Sequence, residues 1–534
     1  MEARWGRSLL AAGAAVTALA WAAAAQAGPC EDLGKAALPG MTIEKAEMAP
    51  AGRVETQLGP VEAVPESCRV SGVLSPVPGS RIGFVVWMPA AGWNGRMQQV
   101  GNGGLAGVIN TRPLAEAVKQ GYAASATDNG HTGSPLDASW ARGRPERVRD
   151  FAERAVHETA VATKALIGAY YGRPAAFAYF NGCSEGGREA LIAAQRYPDD
   201  YDGILAGAPG QYWSQLMVGF IWNAQALHAD DRSYIPATKL PAIQAAALAQ
   251  CDRLDGVADG IVSDPPACRF DPSVLACKGA DGDACLTAPQ LAALRKVYEG
   301  ARDPGTGAQL SAGYEPGSEA AGGPFGWPGY VTGPARGQSL QVMFGSGYYG
   351  GFVFDKADWR FGEFDFARDP ARAAAVGELL DADDPDLSAF RAAGGKLIQY
   401  HGWGDPSPPP RHSIDYYGKV QSRMGAKADG FYRLYLAPGM LHCGAGPGPN
   451  AFGNLLDPAP AKGPERNVLD ALVAWVERGR APAAIVATKY VDDDPAKGVK
   501  MTRPLCPYPQ AARWDGKGGP NVAASFRCAK SGGR

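Results

Sequence analysis

Net charge of one sign is what this 534-residue chain most plainly lacks: 52 Lys and Arg stand against 54 Asp and Glu, a formal net of -2. No overall positive field exists to draw in a phosphate backbone, which excludes nucleic acid as the expected partner. Charged residues are not themselves scarce, at 20%, and hydrophobic ones make up 46%. Disordered, collagenous and multi-span membrane chains do not have that composition. Past the N-terminus no apolar run approaches the roughly 18 residues of a membrane span, so the mature chain is expected to be soluble. Histidine is rare, with six in all, and no Cys-x-x-Cys pair comes with partnering histidines, so structural zinc is not expected. There is no internal repeat.

What is present begins with length. At roughly 150 residues per domain the chain could hold three or four pieces, or one large enzyme fold with an insertion. Gly 70 and Pro 43 imply many turns and long loops, where sites usually sit. The first residues read as an export signal over 1–27: Arg4 and Arg7, an apolar run from Leu9 to about Ala25, then the small-x-small site Ala25-Gln26-Ala27. Pro29 before Cys30 makes a poor lipidation context. The expected location is therefore secreted or periplasmic. In such a compartment the ten cysteines, Cys30, Cys68, Cys183, Cys251, Cys268, Cys277, Cys285, Cys443, Cys506 and Cys528, read as five disulfides. Counting does not give the connectivity, although Cys251 with Cys268 and Cys277 with Cys285 would close short loops.

Short apolar segments at Ile82–Trp87, Met97–Val100, Tyr122–Thr127 and Ala176–Phe180, with a helical pattern from Val148 to Tyr171, predict an α/β architecture with a mainly parallel sheet. After the turn Ala206-Gly207-Ala208-Pro209-Gly210 the rhythm stops. It resumes at Lys396–Tyr400 and Tyr432–Leu436, followed by an amphipathic helix around Asn467–Arg478. The expected organisation is a core in two parts, 28–210 and 386–534, split by a lid over 211–385. Aromatic residues run through that lid from Trp213 to Phe361; they could line a slot for a flat acyl group or simply be lid core.

Gly182-Cys183-Ser184-Glu185-Gly186 fits G-x-S-x-G, with a predicted strand before it and a predicted helix after it. That setting makes a nucleophile elbow, a strained turn that exposes the Ser184 hydroxyl at a helix N-terminus and leaves the Glu185 N–H available to an oxyanion. The hydroxyl needs a base, and the base needs a carboxylate. In hydrolases of this architecture the order is Ser, Asp or Glu, then His. Order removes His131 and His157 and His228. His442 follows the strand ending at Leu436 and is the expected base; Asp405 follows the strand ending at Tyr400 and is its expected partner, although it could be a turn carboxylate. His401 reads as a hydrogen-bonded strand-end residue and His412 as a surface-loop residue after three prolines. Cys183 immediately precedes Ser184 and Cys443 immediately follows His442; if joined, their Cα atoms lie roughly 4.4–6.8 Å apart and the serine and histidine become neighbours.

Gly-Cys-Ser-Glu-Gly-Gly-Arg, His-Gly-Trp-Gly-Asp and His-Cys together resemble the tannase and feruloyl esterase family, from about Cys68 to the C-terminus. The resemblance implies an α/β-hydrolase core with a large lid, a disulfide between Cys183 and Cys443, and hydrolysis of esters of aromatic acids by Ser184, His442 and Asp405. It places the oxyanion donors on Glu185 and on Gly103 of the stretch Gly101-Asn102-Gly103-Gly104. In the lid, three carboxylates within eight residues are a possible hard-cation loop, or an Asp/Gly turn. The resemblance implies a structural Ca²⁺ there on Asp252, Asp255, Asp259 and the carbonyls of Val257 and Ile261. No redox or nucleotide cofactor is expected. The expected substrate is a small aromatic ester, free or carried on plant polysaccharide or polyphenol. Feruloyl esterase is the first expectation, then tannase, then terephthalate monoester hydrolase; a serine peptidase and an inactive phenolic- or carbohydrate-binding protein are the readings from other classes.

Overall fold

Short apolar runs punctuated by glycine and proline turns pair into one nine-stranded sheet in this computed structural model, which describes residues 29–35 and 40–530. The export signal expected over 1–27 lies outside the described residues. The strands are β1 (Met41–Ala49), β2 (Ser67–Leu74), β3 (Ile82–Pro89), β4 (Arg96–Val100), β5 (Ala123–Thr127), β6 (Phe177–Cys183), β7 (Gly203–Gly207), β8 (Lys396–Gly402) and β9 (Tyr432–Ala437). Their spatial order is β1-β2-β3-β5-β4-β6-β7-β8-β9. The β1, β2, β3 and β5 pairings are antiparallel, and every pairing from β5 onward to β9 is parallel. The parallel strands are buried on both faces, as parallel sheets require, and β7 is buried at every residue.

The helices that cover the sheet show why they start and stop. Helix α1 (Ala155–Tyr171) ends where Gly172 turns left-handed at φ 67°. Helix α2 (Glu185–Arg196) begins directly at the serine of the elbow. Between β7 and β8 run 188 residues, 208–395, that contribute no strand to the sheet. This segment carries α3 (Trp213–Leu227) and α4 (Leu340–Tyr348), which pack on one another. After β8 come α5 (Pro410–Met424) and α6 (Val468–Arg478), the latter capped by Asn467, whose side chain accepts from the Leu469 and Asp470 N–H groups.

The segment has an apolar core of its own. Phe220, Leu294, Tyr348 and Tyr349 are buried there together with Leu105, Trp140 and Phe151 from the loops after β4 and β5. Most aromatics between Trp213 and Phe361 belong to this core: Trp213, Trp327, Phe344 and Trp359 are buried, and Tyr349 lies 4.6 Å from Phe364 ring to ring. These rings pack against one another as core of the segment 208–395. All ten cysteines pair, as Cys30–Cys68, Cys183–Cys443, Cys251–Cys268, Cys277–Cys285 and Cys506–Cys528. Among the described residues no helix is long and apolar enough to cross a membrane.

Three local expectations need correcting. Ala206 and Gly207 are not part of a turn but end β7, whose five residues Gly-Ile-Leu-Ala-Gly are too short a run to stand out. β1 and β2 precede the first expected strand; β1 is an edge strand whose alternating exposure leaves it polar on one side. His412 is not on the surface. It lies in the first turn of α5, started by Pro410 in the position where a missing N–H costs nothing, and is 2% exposed.

Candidate active site

The elbow is built by close approach. Ser184 has φ 66° and ψ -120°, a conformation that L-residues rarely adopt and that persists only where its surroundings fix it. The Ser184 N–H donates to Gly207 O at 2.9 Å, and its carbonyl accepts from the Arg188 N–H at 3.1 Å. A Cβ on Gly182 would lie 2.4 Å from Gly186 O, and one on Gly187 2.3 Å from Gly207 O, so strand, turn and helix can meet only without side chains there.

β8 and β9 bring up the partners. Asp405 follows β8 and His442 follows β9, and the two strands pair residue for residue up to Gly402 with Ala437. His442 Nε2 lies 2.8 Å from Ser184 Oγ, and His442 Nδ1 lies 2.9 Å from Asp405 Oδ2. Asp405 Oδ1 accepts from the Ser407 N–H at 2.8 Å. Burial alone would push the Asp405 carboxyl up, but the His442 charge and the His401 and His442 hydrogen bonds outweigh it and hold it below its ordinary value. The Cys183–Cys443 disulfide joins the neighbours of the serine and the histidine across 260 positions, with Cα atoms 6.0 Å apart. An imidazole oriented by a carboxylate and facing a hydroxyl can remove that proton as the oxygen attacks a carbonyl carbon.

The two expected oxyanion donors belong to two backbone segments. Glu185 is the first residue of α2, so its N–H is among those a helix leaves unpaired. Gly103 sits at the exposed tip of the loop after β4, with open space around its Cα. Sequence reasoning missed the group that braces this loop, Glu189. On the second turn of α2, its buried carboxylate accepts from the Asn102 N–H at 3.0 Å and from the side-chain amides of Asn102 and Asn129 at 3.1 and 2.5 Å. A charged residue beside the apolar run Ala190–Ala194 was the available signal.

The segment between β7 and β8 also reaches the triad. Gln341 Nε2 on α4 donates to Pro406 O at 2.8 Å and to the Tyr314 hydroxyl at 2.9 Å. Tyr314 donates in turn to Ser407 O at 3.0 Å, and Asn223 on α3 donates to Gln341 Oε1 at 3.0 Å. The Tyr330 ring stands edge-on to His442, centroids 5.4 Å apart. Composition gave no sign that buried amides in this segment would grip the loop bearing Asp405.

The expected calcium loop lies within the segment, beside the Cys251–Cys268 disulfide. Asp252 Oδ1 accepts from the N–H groups of Asp259, Gly260 and Ile261 at 3.1, 3.1 and 3.3 Å; Asp255 Oδ1 accepts from Val257 N–H at 2.9 Å. Asp259 Oδ2 pairs with Arg503 from the C-terminal hairpin, while Asp259 Oδ1 is buried without a donor. The orphaned Asp259 acceptor and the oxygen-rich loop are what a hard cation uses, while Asp252 is held by backbone N–H groups, Asp259 is paired with Arg503, and among the described residues the three carboxylates are not gathered within ligand distance of one another. Elsewhere, Cys277, Asp281 and Cys285 bring ligand atoms together, but the two thiols are joined as a disulfide.

Sheet order and site geometry together define an α/β-hydrolase-type fold with its reactive groups at the carboxyl edge of the parallel strands. Comparison with known proteins places it more closely. The family model for tannase and feruloyl esterase matches residues 68–529, and the chain belongs to that family. It is 44% identical to an uncharacterized esterase of Xanthomonas campestris, over 98% of this chain and 95% of the relative. To the mono(2-hydroxyethyl) terephthalate hydrolase of Piscinibacter sakaiensis it is 34% identical, over 88% and 85%. The crystal structure of feruloyl esterase B from Aspergillus oryzae superposes with a TM-score of 0.84 at 29% identity, covering 94% of this chain and 99% of that one. The chain is a carboxylic ester hydrolase of this family.

Proposed function

We propose that the protein is an exported serine esterase that cleaves esters of aromatic acids, hydroxycinnamoyl esters first, through an acyl-enzyme. His442 Nε2 takes the Ser184 Oγ proton as the oxygen attacks the ester carbonyl carbon. The carbonyl oxygen, now an oxyanion, rests on the Glu185 and Gly103 N–H groups. His442 returns the proton to the departing alcohol, and water, deprotonated by His442, then releases the acid. Asp405 keeps the Nδ1–H tautomer of His442 and offsets the imidazolium charge.

The observation that carries this reading is the run of contacts from Ser184 Oγ to His442 Nε2 at 2.8 Å and from His442 Nδ1 to Asp405 Oδ2 at 2.9 Å, on a serine with φ 66°. Relatives named for feruloyl esterase and terephthalate monoester hydrolase support the aromatic acyl group. Five disulfides and the small-x-small site after the first apolar run support export. Within the segment 208–395, residues 211–385 would serve as the lid over the acyl group. A structural Ca²⁺, held by Asp252, Asp255, Asp259 and the carbonyls of Val257 and Ile261, would stiffen that segment.

The test is hydrolysis of methyl ferulate, methyl gallate and mono(2-hydroxyethyl) terephthalate, with Ser184→Ala as control. The expected outcome is turnover with the highest kcat/KM on methyl ferulate, and loss of kcat on the order of 10⁴-fold or more in the control. A gallate or terephthalate preference would move the specificity; undiminished hydrolysis by the control would remove the nucleophile.

A further inference from the structure

Asp405 Oδ2 does not serve His442 alone. His401 Nε2 lies 3.2 Å from the same oxygen and 2.9 Å from Pro408 O, and the ring is wholly buried. Both neighbours of Nε2 are acceptors, so this nitrogen must carry a proton. On the other side of the ring, Nδ1 lies 2.6 Å from Ser413 Oγ, which also accepts from Gln399 Nε2 at 2.6 Å. Gln399 Oε1 takes the Tyr432 hydroxyl. With its oxygen already receiving the amide N–H, Ser413 has its own O–H to give to Nδ1. The network accommodates a neutral imidazole with the proton on Nε2, the buried Ser413 O–H being given to Nδ1. No charged side chain sits within this network except Asp405; the nearby His412 is kept neutral by burial, which pushes it down to about 3.

We propose that His401 is a positioning residue for catalysis: its Nε2–H, neutral and shared between Pro408 O and Asp405 Oδ2, helps fix the triad carboxylate at the end of a chain of contacts running Tyr432, Gln399, Ser413, His401 and Asp405. Donation converges on Asp405 from both ends, from Tyr432 through Gln399, Ser413 and His401 on one side and from Ser184 through His442 on the other, and the carboxylate only accepts. A carboxylate held by the Ser407 N–H on one oxygen and by His442 on the other, with the His401 Nε2–H 3.2 Å from that second oxygen, resists rotation when His442 becomes charged. The role rests on the triad reading above, and its test is separable from that reading.

The experiment compares His401→Leu and His401→Gln with the parent and with Ser184→Ala, on methyl ferulate and on a small activated acetate ester. His401→Leu removes the donor, and kcat is expected to fall on the order of 10²-fold with KM within about twofold, on both esters. His401→Gln can place an amide N–H near the lost position and is expected to recover part of that kcat. Equal losses in the two variants at matched Tm, or a His401→Leu kcat within about twofold of the parent, would overturn the proposal while leaving the triad standing if Ser184→Ala is dead. Should His401→Leu not fold, a ¹⁵N-histidine NMR tautomer measurement on the parent decides. Six histidines make the spectrum tractable, with the His401 signals assigned by their loss in His401→Gln. A neutral Nε2–H form is expected; an Nδ1–H form or an imidazolium would contradict it.

Discussion

The edge of the sheet and the segment 208–395 hold their residues in place by different means. At the edge, strand pairing, glycines packed too closely to admit a Cβ and one disulfide across 260 positions fix Ser184, Asp405 and His442, so few side chains are free to choose a place. In the segment there is no strand of the sheet; two short-range disulfides, a shared aromatic core and buried amides do the work. Backbone constraint tolerates little variation, and side-chain packing tolerates more. On the proposed function, the chemistry would sit on the first kind of support and substrate choice could vary on the second. Among the places where the two meet, Gln341 and Tyr314 grip the carbonyls of Pro406 and Ser407 beside Asp405, and the Tyr330 ring stands against His442.

The largest effect is expected at the edge. Asp405→Asn keeps the shape but favours the wrong tautomer of His442, and kcat should fall about 10⁴-fold with Tm nearly unchanged. A loss of Tm in proportion would mean that the edge, too, depends on its side chains. Replacing both Cys183 and Cys443 by Ser should cost about 2–5 kcal/mol of stability, read as a drop in Tm, and should lower kcat because the two loops are no longer tied. Unchanged kcat would show that strand pairing alone aligns the serine and the histidine.

Gln341→Leu probes a meeting point of the two regions. It leaves Pro406 O and the Asn223 amide without their partner, which should cost about 1–3 kcal/mol and lower kcat even on an ester too small to touch the segment. An effect on KM alone would separate the regions completely. The smallest effect is expected in the calcium loop: chelation should lower Tm by about 2–4 °C and leave kcat/KM at low temperature unchanged. Metal analysis of the dialysed protein should find Ca²⁺. Its absence, with Tm indifferent to chelator, would leave the loop as an Asp/Gly turn.

The same contrast explains what could be read from the chain. Residues fixed by backbone rules leave local signatures: the elbow announces itself by Gly182, Gly186 and Gly187, and both late strands by apolar runs that end just before Asp405 and His442. The cysteines adjoining Ser184 and His442 gave a distance constraint that no periodicity could. Short or edge strands such as β7 and β1 lack the length or the apolar pattern to be seen. Glu189, Gln341, Tyr314 and Ser413 act through contacts made only in three dimensions, with partners 14 to 93 residues away. A buried polar residue and an exposed one look alike in sequence, which is why His412 was misplaced and why the environment of His401 became visible only in the fold.

The account turns on Ser184 being the atom that takes the acyl group while held against His442. Treating the native, nonreduced enzyme with an aryl sulfonyl fluoride and mapping its peptides measures both at once. The result expected is one sulfonyl adduct, on Ser184, in a peptide crosslinked from Cys183 to Cys443, with activity lost in proportion to labelling. An adduct on another residue, or full activity in enzyme labelled at Ser184, would contradict it.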